Sequence, residues 1–181
     1  RHMAMENSAT SAANLEWLVR EFFEGEHAEG VSPFDACCAL AGAIEPTTDD
    51  PIYHPYLYGA QQDGHARAGF YGLAGWHTKG HLVRALLEGV AFGHRQHIET
   101  IRKAGAVFNE AVLSGGGSRS LIWPQIFADV LGVPVSVARS RETGALGAAI
   151  AAGTGVGIFA DFGAGAAAMV RAERYYRPDV L

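Results

Sequence analysis

Hydrophobic positions recur at helical spacing soon after the chain begins. Leu15, Leu18, Val19, Phe22 and Phe23 repeat every three or four residues, so 11–23 is expected to form a helix capped by Ser11 or Asn14. A shorter helix is expected where Ser32 offers an N-cap and Pro33 fits the first turn. Periodicity then lapses over 45–75, a stretch rich in proline, tyrosine and glycine, with short strands expected within it, such as 52–58. Long irregular segments of this kind usually form or cover a site. The longest amphipathic pattern runs over 79–103, with Leu82, Leu86, Val90 and Phe92 marking its inner face and Gly105 ending it.

Strands and helices then alternate. A strand at 110–113, a turn at Gly115-Gly116-Gly117, a helix at 121–131, a strand at 133–138, an Ala-rich helix at 142–152 and a short helix at 164–170 are expected in that order. Such alternation implies an α/β layer with a largely parallel sheet. Ligands of these sheets gather at the carboxyl ends of strands, and the loop after Leu113 is one such end.

Composition narrows the class. Hydrophobic residues make up 49% of the 181 and charged residues only 18%, against about 25% charged in an ordinary domain, which excludes a disordered chain. The 23 glycines follow no three-residue period and no heptads run through the sequence, so collagen and coiled coil are excluded. A net charge of −5 without clustered Lys and Arg argues against nucleic acid or an anionic membrane as partner. Residues 143–160 carry no charge, but they are built of Gly and Ala, and Gly153, Gly155 and Gly157 interrupt them. A closely packed interior helix followed by a turn is expected there, and not a membrane span. The neighbours Cys37 and Cys38 are read as small buried apolar residues, in keeping with a reducing cytoplasm.

The segment Ala111 to Ser120, AVLSGGGSRS, holds the clearest candidate chemistry. Three glycines remove every Cβ where backbone meets a planar base or a phosphate, and amides at the following helix start favour an anion. A tight turn that binds nothing remains the competing reading at this point. The segment is not a Walker A loop, since no Lys follows. It is not a full dinucleotide fingerprint either, because Ser120 stands where a third glycine belongs and Ala138-Arg139 where an acid should meet the ribose.

Other candidates are weaker. His77 and His81 lie four apart and His94 and His97 three apart, but Thr78-Lys79-Gly80 is not a zinc-protease spacer, so no metal is expected. His81 is expected to start the long helix, and His94 and His97 to sit on its solvated face. Glu88 falls on the apolar side of that helix and is expected to be a buried acid with a backbone or Arg partner. Trp17, Trp76 and Trp123, with no basic residues among them, are expected at the core or at a domain interface.

Four segments taken together resemble the C-terminal domain of the FGGY family of carbohydrate kinases. They are PYLYGAQQDGHARAG (Pro55 to Gly69), AGFYGL with HLVRALLEGVAF (Ala68 to Phe92), LSGGGSRSLIWPQIFADVLGVPV (Leu113 to Val135) and ETGALGAAIAAG (Glu142 to Gly153). The resemblance covers most of the chain. It implies an α/β, ribonuclease-H-like domain of the actin-like ATPase type, a mixed sheet flanked by helices and incomplete at both ends. The whole of 1–181 would be the nucleotide-side domain of a two-domain kinase whose sugar-binding domain lies upstream.

The implied activity is transfer of the γ-phosphoryl group of ATP, with Mg²⁺ spanning the β- and γ-phosphates, to a sugar or polyol hydroxyl. By the family's pattern Gly115, Gly116 and Gly117 hold adenosine, Ser120 hydrogen-bonds the base, and Gly59 belongs to a loop near the phosphates. Two departures concern that loop: Gly59 is followed by Ala60-Gln61 where a charged residue is usual, and its end reads Ala66-Arg67-Ala68-Gly69, with the glycine shifted by one. The family's general-base Asp and its D-x-G-T phosphate loop do not occur in this sequence, so no catalytic residue is assigned and the chain alone is expected to be inactive. Pentulose, hexulose and polyol substrates all fit, as does a homodimer. The competing reading is a non-catalytic nucleotide-binding or interaction module of the same fold, and a dinucleotide-dependent oxidoreductase stands third.

Overall fold

A computed structural model describes residues 4–8, 10–23, 25, 28–60 and 63–179; Gln61 of the Gly59 loop lies outside them. The order of elements is α1 (Ala13–Phe22), α2 (Pro33–Gly42), β1 (Ile52–His54), β2 (Gly69–Tyr71), α3 (Lys79–Lys103), β3 (Ala111–Leu113), a 3₁₀ turn (Gly116–Arg119), α4 (Trp123–Leu131), β4 (Val135–Ala138), α5 (Thr143–Gly155), α6 (Phe162–Met169) and β5 (Ala172–Tyr176).

Helix α3 is the hub, packing on α1, α2, α4 and β1. Val83, Leu86, Leu87 and Val90 are buried on its inner face with Cys37, Cys38 and Ala41 of α2 and Trp123 and Phe127 of α4. Phe92, expected on that face, is instead 53% exposed: a 3.6-residue period turns it away from the stripe that carries Leu86 and Val90. Strand β1 approaches α3 so closely that a Cβ on Gly89 would lie 2.2 Å from the Tyr53 carbonyl oxygen. A small buried network ties the same strand to α1, with Tyr53 Oη donating to Asn14 Oδ1 at 2.9 Å and Asn14 Nδ2 donating to Thr10 Oγ1 at 3.1 Å. Asn14 therefore serves the core. Ser11 does not cap α1 with its side chain either, since its hydroxyl goes to His94.

Two sheets are present among the described residues. Strands β1 and β2 form an antiparallel pair, so only the first three residues of the expected 52–58 strand are extended in a ladder. The second sheet has the order β3-β4-β5, with β3 parallel to β4 and β4 antiparallel to β5. Strand β5 has no counterpart among the elements expected from the sequence, and its antiparallel pairing makes the layer mixed.

The Ala-rich helix departs from expectation in its surroundings. Only Ile150 and Gly153 of α5 are buried; its remaining residues are exposed or half-buried. It packs closely, but on α6, where Gly153 and Gly165 leave room for Phe159 and Ile150. Small side chains brought two helices together without carrying α5 into the main core. No helix among the described residues is long and apolar enough to cross a membrane.

Candidate nucleotide site

The strand-to-helix passage after β3 is built by glycine and serine. Gly115 adopts φ +86°, a region open to Gly and strained for other residues, and thereby reverses the chain at the carboxyl end of β3. Ser118 closes the turn, its amide and its hydroxyl both donating to the Gly115 carbonyl, at 3.2 and 2.8 Å. Gly117 lies against the indole of Trp123, where an added Cβ would be 3.0 Å from the ring, whereas Cβ atoms on Gly115 and Gly116 would meet open space.

That open space is a cavity of about 740 Å³. One wall is the turn from Gly115 to Leu121; the others are Ala12, Leu15 and Glu16 of α1 and the lead-in, Ser32, Phe34, Asp35 and Cys38 at α2, the segment from Val137 in β4 to Arg141 beyond it, and Glu173 and Arg174 of β5. The charged residues of the lining are Arg119, Arg139, Arg141 and Arg174 with the acids Glu16, Asp35 and Glu173. The two strand ends of a parallel pair thus open into one cleft, the usual place for a ligand in an α/β sheet.

Ser120 lines this cavity, but its hydroxyl is committed inside the protein. It accepts from the amides of Trp123 at 3.1 Å and Ile122 at 3.3 Å and donates to Cys38 Sγ at 3.3 Å. These bonds satisfy amides at the start of α4, as a cap does. Burial pushes the Cys38 thiol up, an effect that the Ser120 hydroxyl reduces and the nearby Asp35 reinforces. Trp123 is 1% exposed and its indole Nε1 donates to the Leu87 carbonyl at 3.0 Å, fixing the turn to α3.

Gly59, with φ +89°, is not in this cavity. It lines a smaller one of about 300 Å³ with Tyr56, Glu6, His94 and His97. His94 there is not on a solvated face as expected: its Nε2 meets Ser11 Oγ at 3.0 Å, its ring packs edge-on against Phe127, and burial, with the charge of His97, lowers its pKa. His97 Nδ1 lies 3.5 Å from Glu6 Oε2. His77 and His81 each use Nδ1 to accept a backbone amide, from Ala74 at 2.9 Å and Thr78 at 3.0 Å, and His81 completes a capping box at the start of α3. Those lone pairs are spent on helix and loop geometry. Glu88 pairs with Arg84 at 2.8 Å, and burial raises its pKa against the pull of that guanidinium. Among the described residues no group of three His, Cys, Asp or Glu side chains could hold a metal ion.

The sequence pattern of the FGGY family of carbohydrate kinases, C-terminal domain, matches residues 1–156. The chain belongs to that family. An L-xylulose/3-keto-L-gulonate kinase of Escherichia coli is 33% identical to it over 87% of this chain and 30% of its own length. A xylulose kinase of Staphylococcus epidermidis is 29% identical over 98% of this chain and 35% of its own. The crystal structure of xylulose kinase from Rhodospirillum rubrum superposes with a TM-score of 0.82 at 33% identity, covering 95% of this chain and 34% of that one. This FGGY chain thus spans about a third of the length of the relatives it matches. Its α/β architecture, a mixed sheet flanked by helices, is that of these kinases and of the actin-like ATPase class, as its sequence implied.

Proposed function

We propose that residues 1–181 form the nucleotide-holding part of an ATP-dependent carbohydrate kinase, and that the 740 Å³ cavity takes the adenosine of ATP. The carrying observation is the wall of Gly115 and Gly116, where no Cβ intrudes and open space follows, in a cavity that four arginines also line. A flat base needs such a bare wall, and Arg119, Arg139 and Arg141 would offset phosphate charge. Ser120 holds the start of α4 and supports the wall, so the adenosine contacts are assigned to Gly115, Gly116 and Gly117. The family resemblance assigns the Gly59 loop to the phosphate side.

Phosphoryl transfer asks mainly for positioning and charge neutralisation. This chain would supply the positioning of the nucleotide. The proton acceptor for the sugar hydroxyl is assigned to an upstream Asp. The family resemblance assigns Mg²⁺ to the phosphates of ATP. The relatives from Escherichia coli, Staphylococcus epidermidis and Rhodospirillum rubrum are named for xylulose, the first also for 3-keto-L-gulonate, which favours a keto sugar as acceptor.

Calorimetric titration with ATP, ADP and NAD⁺ tests the reading. ATP and ADP should bind and compete with adenosine, and NAD⁺ should not. The 181-residue chain alone should release no ADP in the presence of ATP and xylulose. Binding of NAD⁺ in preference to ATP would overturn the assignment, and turnover by the isolated chain would overturn the division of labour.

A further inference from the structure

Strand β5 pairs with β4 as the third strand of the second sheet, and residues 157–181, which carry it, lie beyond the stretch matched by the family pattern. Its Arg174 pairs in register with Val137 of β4, next to a register shift at Val137/Ala138. Alternation along β5 keeps Arg174 and Tyr176 half-buried, while Glu173 and Tyr175 are exposed. From that position the guanidinium reaches back over more than fifty residues. Nη1 donates to the Ser120 carbonyl at 2.9 Å and Nη2 donates to the Ser118 carbonyl. Nη1 also donates to Tyr176 Oη at 2.9 Å. Downstream, the tail is fastened to α4, with Gln125 Nε2 donating to the Arg177 carbonyl at 2.7 Å and the Asp179 amide to Asp129 Oδ1 at 2.8 Å.

We infer that Arg174 is a positioning residue for nucleotide binding, clamping the two carbonyls that follow the glycine wall so that the wall keeps its shape. The inference rests on the reading of the cavity as an adenosine site. Its physical basis is the carbonyl pair. Four residues of 3₁₀ turn have few internal bonds to hold them. The planar fork of Arg satisfies both carbonyls at once, whereas the ammonium of Lys acts as a single point charge on a flexible stem. Arg174 also lines the cavity, so its charge offsets carbonyl dipoles that an anionic ligand would otherwise meet.

The test uses the complete kinase chain that carries this segment, in the parent form and as Arg174→Met and Arg174→Lys. Steady-state kinetics give the KM for ATP, the KM for the sugar and kcat; thermal unfolding gives Tm. The Met variant should raise the KM for ATP about tenfold, the loss of one or two charge-assisted bonds in a half-buried site, with the sugar KM and kcat within twofold. The Lys variant should recover part of the ATP affinity. Should the Met variant fail to fold, the Lys variant carries the test by the same split. An ATP KM unchanged in both variants overturns the inference, as does a parallel loss of kcat, sugar affinity and Tm, which marks a merely structural role. A parent protein that binds no ATP overturns the reading of the cavity together with the clamp, whereas a parent that binds ATP as well as its Met variant does overturns the clamp alone.

Discussion

Two glycines one turn apart on α3 should respond to alanine with opposite signs. At Gly89 the new Cβ would stand 2.2 Å from the Tyr53 carbonyl oxygen and 3.1 Å from its carbon. An unstrained contact needs about 3.5 Å, so β1 or α3 must yield by roughly 1.3 Å. Both are anchored, β1 by its ladder to β2 and by Tyr53 Oη on Asn14, α3 by the surrounding core. Overpacking of this kind costs about 1–3 kcal/mol, and the helix preference of Ala over Gly returns about 1 kcal/mol of it. A backbone obstacle moves less readily than a side chain, which puts Gly89→Ala near the upper end, with a net loss of about 2 kcal/mol. At Gly93 the nearest atom to a Cβ is Pro55 Cγ at 3.8 Å, an ordinary contact. There the propensity gain stands unopposed, and Gly93→Ala should stabilise by about 0.5–1 kcal/mol. Urea unfolding of the two variants and the parent, followed by circular dichroism, measures the difference. In Tm the pair should straddle the parent, roughly 4–8 °C below and 1–4 °C above it. If both variants shift the same way, the close approach of β1 to α3 is not the feature that selects glycine at residue 89.

Gly116→Ala should leave stability within about 0.5 kcal/mol of the parent, since its Cβ meets open space, yet weaken ADP binding measured by calorimetry if a base lies on that wall. Gly117→Ala, whose Cβ would press on the Trp123 ring, should reduce both stability and ADP affinity. Trp123→Phe removes the buried donor to the Leu87 carbonyl and should cost about 2–4 kcal/mol by denaturant titration. His94 supplies a pH signature. Its folded pKa lies below the ordinary 6.5, because burial and His97 disfavour its charge, so the unfolded chain takes up the proton first. Stability contributed by the neutral ring is complete above pH 6.5 and falls as the pH drops below it towards the folded value. The urea midpoint of the parent should decline between pH 7.5 and 5.5 more steeply than that of His94→Gln, and equal slopes would refute the assignment.

What the sequence made legible follows from the range of the forces involved. Helices α1, α3 and α4 and strands β3 and β4 are written in local periodicity, and each appears within two or three residues of expectation because its apolar stripe is what the core buries. The triple-glycine turn was legible for the same reason, since Gly115 needs its φ whatever surrounds it. Ser120 shows where local reading stops. From the motif it is a hydroxyl at the mouth of a nucleotide turn. In the fold that hydroxyl meets Cys38, eighty-two residues away, and the amides that begin α4, so its bonding capacity is used before a ligand arrives. His94 fails in the same direction: its place on a helix face is periodic, but the Ser11 hydroxyl and the Phe127 ring that enclose it come from α1's lead-in and from α4. Arg174 is the extreme case, because no spacing rule connects residue 174 with the carbonyls of Ser118 and Ser120 until β5 is laid antiparallel on β4. Periodicity and glycine therefore locate the wall of the proposed site, while the groups that hold that wall in shape belong to strand pairing across the sheet. If the cavity takes adenosine as proposed, variation at such supporting positions alters nucleotide affinity without touching the glycine motif at all, which makes the Arg174 variants the sharper probe of the proposed site.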